Sequence, residues 1–137
     1  MRAVLAERRV PIAGDADVIA ARHEGRVLAA QLAFSRTDLT LVATAISEVA
    51  RNIIEHAGCG EIAVRLVQDG DRNGIEVVAC DKGPGIADPA LALRDGWSTG
   101  DGLGLGLPGC RRLMAEFSLD SEVGRGTRVT MRKWSDE

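Results

Sequence analysis

Glu48 and Asn52 stand four residues apart in the segment SEVARN, which puts them on one face of a helix at 100° per residue. A carboxylate beside an amide oxygen suits two tasks. It can orient or deprotonate a hydroxyl, and it can bind Mg2+ whose shell is completed by phosphate oxygens and water. A second group, Asp81-Lys82-Gly83-Pro84-Gly85, directly follows an apolar run. A strand-end aspartate can accept a hydrogen bond from an exocyclic amine such as that of adenine, and Gly83 and Gly85 keep the adjoining wall flat. The third group is GLGLGLPG at 102–109. Its glycines let backbone N–H groups approach an oxyanion, and the helix opening near Leu107 adds its own unpaired N–H groups. Taken singly, each has a plainer explanation: a solvated polar face, a β-turn, a glycine loop without a ligand.

Familiar nucleotide motifs do not account for these glycines. Gly104, Gly106 and Gly109 satisfy G-x-G-x-x-G, but LRDGWSTGD before them is no strand and no VAIK-like segment follows. No G-K-[ST] occurs. Cys59, Cys80 and Cys110 are an odd number without CxxC spacing, which disfavours a disulfide framework or a zinc site and fits buried thiols in a reducing cytoplasm. His23 and His56 are the only histidines, both expected at the surface, and no GxSxG surrounds a serine. Arg111, Arg112, Arg125 and Arg128 read as solvated surface side chains.

These groups must be held by elements, and hydrophobic periodicity supplies them. A first strand over 3–12 precedes a helix that Asp15 or Asp17 caps, running to about Ala33 with Val18, Ala21, Leu28 and Leu32 inward. A second helix begins near Thr37 or Asp38. Its set Leu39, Val42, Ile46, Val49 and Ile53 repeats at three and four residues, with Glu48 and Asn52 on the opposite side, and Gly58 ends it. Residues 61–67 and 75–80 form a hairpin around the turn 68–74. A short helix occupies 107–117, with Pro108 in its first turn, and strands near 118–123 and 127–133 flank the Gly124–Gly126 turn. The expectation is one α+β domain spanning 1–137, a two-layer sandwich whose helices pack on one face of a mixed, mostly antiparallel sheet.

Composition bounds the rest. The chain has 137 residues, 17 basic against 20 acidic, and 45% hydrophobic content, ordinary for a globular protein of one-domain size. Glycine is high, 16 of 137, and only Phe34, Trp97, Phe117 and Trp134 are aromatic. Few stacking platforms and mild acidity argue against nucleic acid as a partner. No run of 18 apolar residues exists and the first residues carry charges where a signal peptide needs an apolar stretch, so the expectation is cytoplasmic, with no membrane partner.

In this order, Glu-x3-Asn, Asp-x-Gly-x-Gly and Gly-x-Gly-x-Gly resemble the N, G1 and G2 boxes of the GHKL superfamily, which builds the Bergerat ATP-binding fold. Gly126-Thr127 resembles its closing Gly-Thr, so the likeness spans about 37–133. Within it, SEVARNIIEHAG, DKGPGI, DGWSTGDGLGLGLPG and RLMAEFSL are similar to the small RsbT-like anti-sigma-factor serine kinases. The resemblance implies roles. Glu48 would be the base or orienter for an acceptor serine and Asn52 would hold Mg2+ on the phosphates. Asp81 would contact the adenine amine, with Gly83 and Gly85 shaping the pocket. Gly102, Leu103, Gly104, Leu105 and Gly106 would meet the phosphates, and Thr127 would lie near the base. Residues 88–106 would include an ATP lid anchored by Trp97. The implied function is phosphorylation, with Mg-ATP, of a serine on a STAS-domain antagonist in a partner-switching pathway. A phosphatase or a sigma factor are further candidate partners and a homodimer is a candidate assembly. The alternative is a nucleotide-dependent module that sequesters its partner. A histidine kinase fits poorly, because His23 lies in a single helix with no room for a dimerisation hairpin.

Overall fold

Two periodicities divide the chain, and each builds one layer. The computed structural model describes residues 2–84 and 106–135, with the side chains of 106 and 107 left aside. Period-two segments form β1 (Arg2–Ile12), β2 (Gly60–Asp69), β3 (Arg72–Asp81), β4 (Glu116–Glu122) and β5 (Gly126–Trp134). The helices are α1 (Asp15–Ala29), α2 (Arg36–Ala57) and α3 (Gly106–Leu113). The strands join in the order β1-β2-β3-β5-β4, and all four pairings are antiparallel. The mixed component expected of the sheet is therefore absent among the described residues. None of their helices is long and apolar enough to cross a membrane.

Strand alternation decides which face the helices cover. Val10, Ile62, Val64, Val77, Ala79, Val129 and Met131 share one face and pack with Val18, Leu28, Ile46, Val49 and Ile53 of α1 and α2. Gly25 lets the two helices close on each other, since a Cβ there would lie 2.2 Å from Ile46 Cδ1. The opposite face carries charge. Glu7, Arg65, Glu76, Arg132 and Glu116 stand in register, one per strand, and alternate in sign across the whole sheet.

Local chemistry sets the boundaries, and several differ from expectation. Asp17 reaches back to accept from Ala13 N at 2.8 Å and Gly14 N at 3.1 Å, so α1 starts at Asp15. It ends at Ala29 rather than Ala33. The cap of α2 is Ser35, whose Oγ accepts from Asp38 N at 3.1 Å, so the helix starts at Arg36, just before the expected Thr37 or Asp38. Gly58, at φ 83°, ends α2 as expected, its N–H donating to Ile53 O and Ile54 O. The β2–β3 turn shrinks from 68–74 to two residues, because Gly70 at φ 63° provides the left-handed position such a loop needs. The last helix stops at Leu113 instead of 117. Phe117 belongs to β4, where it faces Met131.

Candidate active site

α2 carries the first group. From Val42 to Ala50 nearly every residue is buried, because α1, α3 and the sheet surround this stretch. Glu48 is only 5% exposed, so the plainer reading of a solvated polar side chain fails at this residue. A buried carboxylate needs a partner, and Arg51 supplies it: Nη1 donates to Glu48 Oε1 at 3.2 Å. Oε2 has no hydrogen-bond partner among the described residues. Both side chains line a cleft of about 350 Å3 shared with Arg22 and Arg26 of α1 and Thr40, Thr44 and Ser47 of α2. Asn52, one turn further, is half-buried.

α3 fastens the third group to the same helix. Cys110 is fully buried, and its Sγ donates to Ala45 O at 3.6 Å. Burial pushes the Cys110 thiol up to about 12, and the Glu48 charge pushes it the same way. Glu48 therefore lies near α3, whose first residue is Gly106, one of the expected phosphate contacts. Gly102, Leu103, Gly104 and Leu105 lie outside the described residues, as do Gly85, Trp97 and the expected lid apart from Gly106.

The second group sits at the end of β3, where register brings Asp81 opposite Thr127 on β5. Gly126 makes that closeness feasible: at φ 105°, a Cβ would lie 2.1 Å from Asp81 O. Thr127 is buried and its Oγ1 shares a hydrogen bond of 2.9 Å with Ser121 Oγ. Asp81 Oδ1 accepts from Gly83 N at 2.9 Å, which tightens the turn after the strand. Gly83 in turn sits against Ala57, where a Cβ would lie 2.5 Å from that methyl group, so the corner abuts the end of α2. Gly124 N donates to Pro84 O at 2.8 Å, tying the β4–β5 turn to the same corner.

Asp81, Gly83 and Thr127 are thus joined at one corner. Glu48 and Asn52 lie on the helix that corner touches, and Gly106 opens α3, which packs on that same helix. Sequence reasoning missed Arg51 as a partner of Glu48, although its position three residues on was a signal for it. It also missed Arg22 and Arg26, which only the α1–α2 packing brings to the cleft.

The cysteines and histidines divide. Cys110 is buried as expected, but Cys80 is half-buried and Cys59 exposed. Arg128 Nε donates to Cys80 Sγ at 3.3 Å, which raises the guanidinium's proton affinity. His23 is exposed and His56 half-buried near the end of α2. Arg111 and Arg125 are exposed as expected, Arg125 paired with Glu122 at 3.3 Å.

Comparison with known proteins bears on the whole arrangement. The family model described as histidine kinase-, DNA gyrase B-, and HSP90-like ATPase matches residues 37–136. The chain is 48% identical over 118 residues to the serine/threonine-protein kinase RsbT of Bacillus subtilis (strain 168), covering 86% of this chain and 89% of that protein. It is 31% identical over 120 residues to the anti-sigma F factor of Thermoanaerobacter sp. (strain X514), covering 83% and 82%. Among solved structures, the mycobacterial sensor histidine kinase MprB superposes with a TM-score of 0.54 at 20% identity, covering 94% of this chain and 97% of that one. The SiaB-SiaC complex from Pseudomonas aeruginosa gives 0.54 at 13%, covering 96% and 90%. These two likenesses concern the fold alone.

Proposed function

This chain belongs to the histidine kinase-, DNA gyrase B- and HSP90-like ATPase family, and from that premise we propose that it transfers the γ-phosphoryl group of ATP to a serine of a STAS-domain antagonist protein. The observation that carries this reading is Glu48, buried on the helix that both other groups adjoin, with one oxygen fixed and the other unpaired among the described residues. In the proposed step the serine hydroxyl gives its proton to Glu48 Oε2 while its oxygen bonds to the γ-phosphorus. The bond from that phosphorus to the bridging oxygen breaks, and ADP departs. Such transfer needs mainly positioning and neutralised charge.

Asp81, beside Thr127, is proposed to read the adenine amine, with Gly83 and Gly85 flanking it and Gly102 to Gly106 meeting the phosphates. Asn52 suits Mg2+ because that ion keeps waters and takes phosphate oxygens, needing few protein ligands. No cluster of three or more His, Cys, Asp or Glu that could hold a metal occurs among the described residues. Mg2+ would spread the phosphate charge, while Asn52 supplies one amide oxygen to hold it. Residues 1–137 are read as one working domain acting in the cytoplasm.

The test is incubation with radiolabelled ATP, Mg2+ and a STAS-domain antagonist protein. A labelled serine is expected, and Glu48→Ala should lower the transfer rate roughly 10^3-fold while ATP affinity holds. Wild-type chain that binds ATP yet labels nothing would overturn the assignment. The likeness to an anti-sigma F factor favours a second role, capture of a partner in a nucleotide-dependent way. Pull-down of a sigma factor or phosphatase that survives Glu48→Ala would assign the output to capture.

A further inference from the structure

We propose that Arg51 is a positioning residue for phosphoryl transfer, fixing the Glu48 carboxylate in the one orientation that offers Oε2 to the acceptor hydroxyl; this rests on the reading of Glu48 as the base. The glutamate side chain has three torsions, and a buried one that wanders would meet the hydroxyl only part of the time. Arg51 stops that motion from three residues away on the same helix, through the 3.2 Å bond to Oε1. Its side chain is 37% exposed against 5% for Glu48, so it spans from the cleft mouth to the buried acid.

Charge alone does not single out this arginine. Arg22 and Arg26 line the same cleft, yet neither side chain makes a hydrogen bond or ion pair among the described residues. Among those residues Arg51 is the cation that touches the carboxylate. It does so through a planar, directional donor rather than a diffuse field. The other described residues lining the cleft, Thr40, Ala43, Thr44 and Ser47 on α2, are neutral, as is Cys110 on α3, which the Glu48 charge reaches.

Single-turnover transfer from labelled ATP to the STAS protein measures the effect, with ATP affinity read separately by a fluorescent analogue. Arg51→Met is expected to lower the transfer rate roughly 10^2-fold with ATP affinity unchanged. Arg51→Lys, which can still donate to Oε1, should stay within about 5-fold of wild type. Combining Arg51→Met with Glu48→Ala should be no slower than Glu48→Ala alone, because both act on one event. Millimolar guanidinium should restore part of the Arg51→Ala rate. If Glu48→Ala is inactive while Arg51→Met transfers at the wild-type rate, positioning is wrong and the base survives. If Glu48→Ala transfers normally, the base itself is wrong. Should Arg51→Met fail to fold, Arg51→Gln carries the comparison with Arg51→Lys, and equal rates for those two overturn the proposal.

Discussion

Cys110 shows how one side chain reports on the site without taking part in it. Its thiol lies in the α2–α3 interface with Ala45 O and the Glu48 charge beside it, so both burial and charge oppose ionisation. The thiol rises from 9.0 to about 12 on folding. A group so raised stabilises the fold fully below pH 9, and that contribution is lost as pH climbs from 9 towards 12. At pH 10.5 about 1.5 units separate the pH from the unfolded value, so about 2 kcal/mol should be gone. Urea unfolding at pH 8 and pH 10.5 should show wild type losing that much more than Cys110→Ala. Equal losses would contradict the buried thiol near Glu48. Under native conditions a thiol reagent should label exposed Cys59 quickly and leave Cys110 untouched. Glu48 and Asp81 stood out by residue type and spacing, and Thr127 by its resemblance to the family's closing Gly-Thr. The burial of Glu48 was not legible, because a polar stripe reads as a solvent face unless the reader knows that α1 and α3 flank it.

At the scale of elements, the junction of β3 and β5 bears the most strain of closeness. Gly126 combines a φ of 105° with an absent Cβ that would otherwise sit 2.1 Å from Asp81 O and 2.8 Å from Lys82 Cα. Neither neighbour is the tip of a flexible side chain, so the strands must part to admit even a methyl group. Gly126→Ala should therefore cost about 3 kcal/mol or more and weaken ATP binding, since it moves Thr127 away from Asp81. Gly124→Ala, strained in backbone but with open space around it, should cost about 1 kcal/mol and leave nucleotide affinity intact. Thermal unfolding with a nucleotide titration separates the two; similar losses in both variants would remove the close approach as the cause. Helix α2 and the β2–β3 hairpin were readable because their apolar residues recur at fixed periods over long stretches. The end of the last helix was not readable: Leu113, Met114 and Phe117 continue a helical spacing, while pairing of Phe117 with Met131 draws the chain into β4. Tertiary pairing overrode local pattern there.

For the molecule as a whole, α1 and α2 pack on one sheet face, and the charge ladder occupies the other. Glu76 lies at the centre, 6% exposed, accepting from Arg65 Nη1 at 3.1 Å and Arg132 Nε at 2.6 Å. Arg65 continues to Glu7, and Arg132 continues to Glu116 at 3.0 Å, whose other oxygen accepts from Trp134 Nε1 at 2.7 Å. Those bonds, with Trp134 first, hold the Glu116 carboxyl below its usual range. The whole ladder depends on four strand registers being right at once, which is why no sequence pattern announces it. Removing Glu76 leaves two guanidinium groups facing each other over the sheet, so Glu76→Ala should destabilise the fold by about 3 kcal/mol. That is a large share of the 5–15 kcal/mol typical of a whole domain. The pair Arg125–Glu122, with side chains 82% and 69% exposed, offers the contrast. Arg125→Ala should change stability by less than about 0.5 kcal/mol. Raising salt should erode any effect of Arg125 and barely alter that of Glu76, because water and ions reach only the former. Urea denaturation of both variants at 0.05 M and 1 M salt reads the difference. If Glu76→Ala unfolds at the wild-type midpoint, the ladder is a bystander and the apolar face alone fixes the register that brings Asp81 to Thr127.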